Sequence, residues 1–435
     1  MTAPSLRQRM GPAVLMGGAL FVLGLAGYGF LAISGHTLST ADAAAVASFY
    51  LIISIVGPGV AAGLEQEISR STSASLARGG SLRVVAGRGA AVGLGLALVV
   101  VAVLFVAAGV LTDKALAGQW GLFAAIIFGV VGSAAACWVR GLLGGMQRFA
   151  GYAASLTAEG LSRIVMCVVL IVVGTTDPTI FAMVFAAGAV FALLAGLPWL
   201  RGKPTAVEVT DEVPHDSVPA MTRGLVLLVG ATLGFQTVAN LAPVLVTARL
   251  EDDTALASAF ASAFVLVRIP VLLFAAVGAM LLPALTKAVT SGDLPAFRST
   301  LRKIMLALAA IGVPTVVGAT LLGPWAVEFL FGAKVRLPAA VLGLLALSTV
   351  VLMVTQVLLP ALVALGKHRV VTLAWALGTV VVVGLLVLPL DPVNTAVWAQ
   401  LAGCGLVALT MAVTLMMSLR ARASAAPPPP VRQPG

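Results

Sequence analysis

The chain reads as all-α: a polytopic membrane protein of about twelve transmembrane helices, in two six-helix lobes. Three observations predict this. Of 435 residues, 60% are hydrophobic and only 10% charged, against about 45–50% and about 25% in soluble domains. So few charges cannot cover a water-facing surface of this size. The apolar residues also fall in long unbroken runs near the ~20 residues needed to span a bilayer as helix, not in the short alternating segments of a β-barrel. Finally, one polar stretch divides the runs into two equal sets.

Taken in order, the runs cover 12–33, 44–63, 89–112, 120–142, 156–174 and 179–200. They resume at 223–247, 255–285, 304–323, 338–365, 370–390 and 395–418. Arg7 and Arg9 precede the first run, which lacks an A-x-A cleavage site and is longer than a signal peptide's apolar core, so it reads as a retained span. The eighth and tenth runs are long enough to project from the bilayer or tilt. Segment 201–222, with Glu208, Asp211, Glu212, Asp216 and three prolines, reads as a cytoplasmic linker between lobes 1–200 and 223–418. The tail, 419–435, ends in a proline run and reads as disordered.

Charge placement orients the chain. With both termini inside, twenty-one of twenty-six Lys and Arg fall on the inner side and only Lys114, Arg249, Lys334 and Arg336 outside. That asymmetry places the termini in the cytoplasm and the protein in the cytoplasmic membrane. The net charge of +10 is thereby a feature of topology and lipid headgroups, and not of nucleic-acid binding. The halves also echo each other: Gly145-Met-Gln-Arg148 matches Gly366-Lys-His-Arg369, and Arg78 and Arg83 match Arg298 and Lys303. Repeated six-helix units place a substrate site between them.

Chemistry-bearing residues are few. Cys137, Cys167 and Cys404 sit singly in apolar runs, and no metal or cofactor motif is present. His36, His215 and His368 form no catalytic constellation, outer loops are short, and no catalytic residue is assigned. Glu251-Asp252-Asp253 reads as a solvated turn.

Within the runs, Arg268 stands out. It lies too deep to snorkel, and an uncompensated Arg there costs at least about 2.5–3.5 kcal/mol. It should face a watery cavity or a partner, and its guanidinium suits an anionic group such as phosphate. Pro270, two residues on, is a candidate hinge because it removes a backbone donor. Glu159 and Arg163, spaced i, i+4, share a helix face: Arg163 as a substrate residue and Glu159 as an ion-coupling candidate, or as a plain salt bridge. Gln236 and Asn240 would line the cavity opposite Arg268, or bond between helices, and Gln356 has the same two readings. Arg140 reads as a topology anchor, and Glu65 and Glu67 close the second span at the inner surface.

Four stretches carry a family resemblance: Arg140-Gly-Leu-Leu-Gly-Gly-Met-Gln-Arg-Phe149, Arg268-Ile-Pro270, Pro283-Ala-Leu-Thr286 and Leu330-Phe-Gly332. With the 6+6 plan, the chain resembles the multidrug/oligosaccharidyl-lipid/polysaccharide exporter superfamily, in particular its polysaccharide (O-antigen flippase-like) branch. The resemblance implies two helical lobes around a central cavity, alternating access and a polyprenyl-pyrophosphate-linked oligosaccharide as cargo, with Arg268 on the pyrophosphate or an acidic sugar. It also implies membrane lipids and the glycosyltransferases or polymerase of such a pathway as partners. The first span has no carboxylate, unlike the drug/cation antiporter branch, so drug or small-solute export is the second expectation; a membrane enzyme of polysaccharide assembly is the third.

Overall fold

The computed structural model describes residues 6–77, 79–201, 218–271, 285 and 294–425. Among these, twelve helices are long and apolar enough to cross a membrane, and no strand occurs. The helices are α1 Leu6–Thr37, α2 Thr40–Ala77, α3 Leu82–Val106, α4 Trp120–Gly145, α5 Phe149–Val173 and α6 Pro178–Gly196. The second half comprises α7 Val218–Arg249, α8 Thr254–Leu266, α9 Leu294–Phe331, α10 Ala339–Ala364, α11 His368–Leu386 and α12 Pro392–Ala425. This is a multi-pass membrane protein. An even number of spans puts both described termini at one end, here the basic end, with Arg83, Arg148, Arg201, Arg369 and Arg422.

Helix satisfies most backbone groups within each span, as hydrocarbon requires. Polar ends are capped locally: the Asp177 and Asp253 side chains accept from the Thr179 and Leu256 amides and start α6 and α8. Large apolar residues on the outer faces, such as Val106, Val172, Leu321 and Val387, stay exposed, as suits lipid contact. The interior joins small residues to aromatics. In the first half Phe30, Phe49, Phe181 and Phe185 form the core; in the second it is Phe260, Phe264, Phe297 and Trp375. Small residues set the helix approach: a Cβ on Gly378 would lie 2.4 Å from Val407 Cγ2, and one on Gly403 2.2 Å from Val382 Cγ2.

The halves meet chiefly where α2 lies against α7. A Cβ on Gly63 would come within 2.8 Å of the Val229 backbone nitrogen. The Gln236 amide donates to the Ser54 carbonyl at 2.8 Å, and the Thr232 hydroxyl donates to the Gly59 carbonyl. Away from the basic end, Val244, Ala261, Val265 and Phe331 of the second half are buried in the first half's core.

Several boundaries differ from expectation. The second, ninth and twelfth spans are long, at 37, 38 and 31 residues, whereas the tenth, expected to be long, has 25. Helix continues past the apolar run wherever charged residues find partners or water, which composition windows miss. For this reason α2 passes through Glu65 and Glu67, expected at the inner surface, and runs on to Ala77. Helix α7 begins at Val218, inside the expected linker, and α12 continues to Ala425, inside the expected tail. The rest of the linker and tail, the end of the eighth run and the Pro283–Thr286 motif except Leu285 lie outside the described residues.

Candidate functional site

Two buried polar centres occupy the bundle. The first lies within the first half, at a seam that small residues create. Gly141, Gly144 and Gly145 line the α4 face against α2: a Cβ at Gly141 would sit 2.8 Å from the Glu65 carbonyl, and one at Gly145 2.6 Å from the Ser69 carbonyl. This approach carries Glu65 of α2 to Arg140 of α4 and to Tyr152 and Glu159 of α5. Arg140 Nη1 donates to Glu159 Oε2 at 2.8 Å, while its Nε lies 3.3 Å from Glu65 Oε2 without hydrogen-bond geometry. Arg163 Nη2 donates to Glu159 Oε1 at 2.7 Å. The Tyr152 hydroxyl donates to Glu65 Oε1. Two carboxylates and two guanidinium groups close the charge balance, as burial demands.

Here the structure corrects the sequence reading. Arg140 is a buried hub and not a topology anchor. Glu65 lies in the same network, and Glu67 is 1% exposed, bonded to Arg70 and Ser71, so neither closes a helix in water. Arg163 is partly engaged: besides the bond to Glu159, its Nε donates to the Phe185 carbonyl at 3.1 Å and its guanidinium stacks 3.9 Å over the Phe185 ring. These bonds use two of its five N–H donors. Glu159 has both oxygens held by arginines, which opposes its use as the ion-coupling group. The pair also lies almost three turns into α5, because that helix starts at Phe149.

The second centre surrounds Arg268. Helix α8 is regular to Leu266, turns at Val267–Arg268 and resumes at Ile269. Pro270 supplies no N–H for the Leu266 carbonyl, and the flanking bonds shorten to i→i−3, Arg268 N–H to Val265 and Val271 N–H to Arg268. The guanidinium stacks 4.4 Å over Phe264, and its buried Nε has no hydrogen-bond partner. It lies within electrostatic range of Tyr28 of α1, Tyr50 of α2 and Cys404 of α12. Among the described residues it forms no ion pair. Gln400, one turn from Cys404, bonds to that thiol at 3.3 Å and leaves its buried Oε1 unpartnered.

Of the residues expected opposite Arg268, Gln236 is spent on the α2–α7 seam and Asn240 donates to the Gln236 carbonyl at 3.1 Å. Gln236 thus ties α7 to α2, whereas the Asn240 bond stays within α7. Gln356 is half-buried on α10. At the other end Glu251 pairs with Lys114 at 2.9 Å and Asp253 caps α8, so the acidic triplet is an exposed turn with structural duties. All three cysteines are buried and free, and among the described residues no cluster of metal-ligating side chains occurs. Glu65, Arg140, Tyr152, Tyr28 and Tyr50 are the residues that sequence reasoning missed. A signal existed for two of them: a carboxylate and an arginine inside helices that carry closely spaced small residues.

The arrangement has known counterparts. The chain superposes with a TM-score of 0.74 on an inward-facing conformation of a multidrug resistance MATE family transporter of the MOP superfamily, at 15% identity over 95% of this chain and 100% of that one. The fold is that of the MATE transporters. An outward-facing conformation of such a transporter gives 0.60 at 13% identity, covering 95% and 97% of the two chains, and the eukaryotic MATE transporter AtDTX14 gives 0.62 at 13%, covering 96% and 99%. No family model matches the chain. Among curated proteins it is 25% identical, over 66% of its length, to two proteins of Mycobacterium tuberculosis, Uncharacterized protein Rv1510 (strain ATCC 25618 / H37Rv) and Uncharacterized protein MT1558/MT1560 (strain CDC 1551 / Oshkosh). The match spans 64% of each relative. The structural likenesses are to MATE transporters, and none of the comparisons shows the polysaccharide branch.

Proposed function

We propose that the chain is an exporter of small solutes that works by alternating access, with its two six-helix lobes rocking about the α2–α7 seam. Termini in the cytoplasm and residence in the cytoplasmic membrane belong to the same reading, from the basic end. The observation that carries it is Arg268: a half-buried cation at a helix break, its Nε buried without a hydrogen-bond partner, unbalanced by any carboxylate among the described residues, near the contact of the two halves. Such a centre favours cargo with an anionic or hydrogen-bond-accepting group and disfavours cationic cargo. Phe264, Tyr28 and Tyr50 add apolar and aromatic surface nearby. The likeness to MATE multidrug transporters supports solute export over the lipid-linked oligosaccharide reading.

A second reading keeps the same machine with a polyprenyl-pyrophosphate-linked oligosaccharide as cargo. Arg268 favours it, because guanidinium binds pyrophosphate oxygens in pairs. Pathway glycosyltransferases would then be partners.

Reconstitution in liposomes separates the two. Uptake of labelled anionic amphiphilic solutes and translocation of a labelled lipid-linked oligosaccharide are measured side by side. Arg268→Ala should cut flux of the true cargo about tenfold or more, and Arg268→Lys should retain part of it. Flux of cationic solutes alone, or no loss in Arg268→Ala, would overturn the cargo assignment.

A further inference from the structure

At the basic end a cavity of about 630 Å³ opens where α5 begins and α6 ends, and none of the residues of the two buried polar centres lines it. The chain reverses from α4 into α5 through Gln147, which takes the left-handed conformation with φ 57°. Arg148 comes next and does not cap α5 with its side chain. Its Nη1 instead donates to the Trp199 carbonyl and, at 2.6 Å, to the Arg201 carbonyl. This clasp fixes the turn Leu197–Leu200 that follows α6. Trp199 packs on the start of α5 at Gly151, where an added Cβ would lie 2.6 Å from the Trp199 Cβ. The two arginines and the indole are thereby held around one opening.

Charge, depth and the adjoining surface together define what fits there. Two guanidinium groups line the cavity, with no carboxylate among its described lining residues. Arg201 is exposed and forms no ion pair among the described residues. The first amides of α5 add the positive end of a helix dipole. Trp199, 44% exposed, stands at the end of an apolar span, where an indole favours the boundary between headgroups and hydrocarbon. From there Phe191, Leu194 and Leu197, three residues apart and all exposed, lead back along α6 into the hydrocarbon layer.

We propose that this cavity binds an anionic phospholipid of the leaflet at the basic end, with Arg201 on the phosphate and Trp199 against the glycerol backbone. The acyl chains follow the apolar track along α6. Guanidinium pairs with phosphate oxygens through parallel N–H bonds. A choline head would bring a third cation to a site with no carboxylate to receive it, so the site selects a net negative lipid. Arg148 is a positioning residue, because its Nη1 holds the turn that carries Arg201. The site lies wholly within the first half and stands apart from the transport reading.

Native mass spectrometry of the full chain released from detergent tests the site, with defined lipids added one at a time. The native chain should retain one phosphatidylglycerol about tenfold more tightly than one phosphatidylcholine. Arg201→Ala should lose that preference and Trp199→Ala should weaken retention of both lipids. Arg201→Lys, which keeps the charge, should hold part of the preference and controls for misfolding. Arg83→Ala removes an exposed charge of the same end outside the cavity and should change nothing. Equal retention of the two lipids, or equal losses in Arg83→Ala and Arg201→Ala, would mean diffuse attraction to the basic end and overturns the proposal. Inorganic phosphate bound without lipid and lost in Arg201→Ala would assign the cavity to the free anion. A preference that emerges only after Glu208, Asp211 and Glu212 are changed to Gln would assign it to the linker's own carboxylates. Either result overturns the lipid assignment.

Discussion

At the scale of single residues, the buried charges are worth most through what their removal would leave behind. Glu159 neutralises two guanidinium groups at once. Glu159→Ala strands both in a medium of low dielectric, and the loss should be about 3–5 kcal/mol in reversible unfolding of the detergent-solubilised protein. Glu159→Gln should recover part of it, because the amide oxygen still accepts from one arginine. The Gly141–Gly145 seam explains why Arg140 was read from sequence as an anchor: its depth depends on how closely α2 approaches, and the sequence does not give that distance. Arg268 was legible because a charge far from both ends of an apolar run is anomalous whatever its neighbours. For Arg163 the i, i+4 spacing left a substrate residue and a salt bridge to Glu159 both open; the structure shows the bridge, with Phe185 as a second contact.

At the scale of helices, close contact is set by absent side chains. Gly145 meets the Thr72 side chain and the Ser69 carbonyl with no room for a methyl, at 2.5 and 2.6 Å from an added Cβ. Gly145→Ala should therefore cost about 1–3 kcal/mol in the same unfolding assay. It should also weaken the Ser73 bond to the Gly145 carbonyl, now 3.0 Å. The α8 break is legible from Pro270 alone, since the missing N–H is a property of the residue. The lengths of α2 and α9 are not, because charged residues extend a helix only when something nearby receives them.

At the scale of the whole molecule, the lobes interlock at the end away from the termini. Lys114 of the first half reaches Glu251 of the second at 2.9 Å. The backbone of α1 at Gly35 packs on Phe331 of α9 so closely that a Cβ would lie 2.2 Å from the Phe331 carbonyl oxygen. Hydrogen bonding and charge attraction from Glu251 raise the pKa of Lys114 above its ordinary 10.5. A raised folded-state value means the contact contributes fully below the ordinary lysine value and is lost as pH climbs through the raised one. It persists throughout the neutral range and weakens with salt. Linking Lys114→Cys to Glu251→Cys with a short bismaleimide should hold this end shut and bring cargo flux in liposomes to background. Flux unaffected by the link would show that transport does not require this end to open.

The sequence by itself determined that the protein crosses a membrane twelve times as helices, in two sets of six, with its surplus positive charge at the end bearing both termini. Those are properties of composition and spacing, and hydrocarbon leaves the backbone no alternative to helix. It also singled out Arg268 and Pro270, whose chemistry is unusual in any apolar run. Only the tertiary structure decided which charges neutralise one another. Glu65 lies seventy-five residues from Arg140, which lies nineteen from Glu159. Their meeting depends on helix approach, set toward α2 by the glycines of α4, and no local pattern encodes a distance between helices.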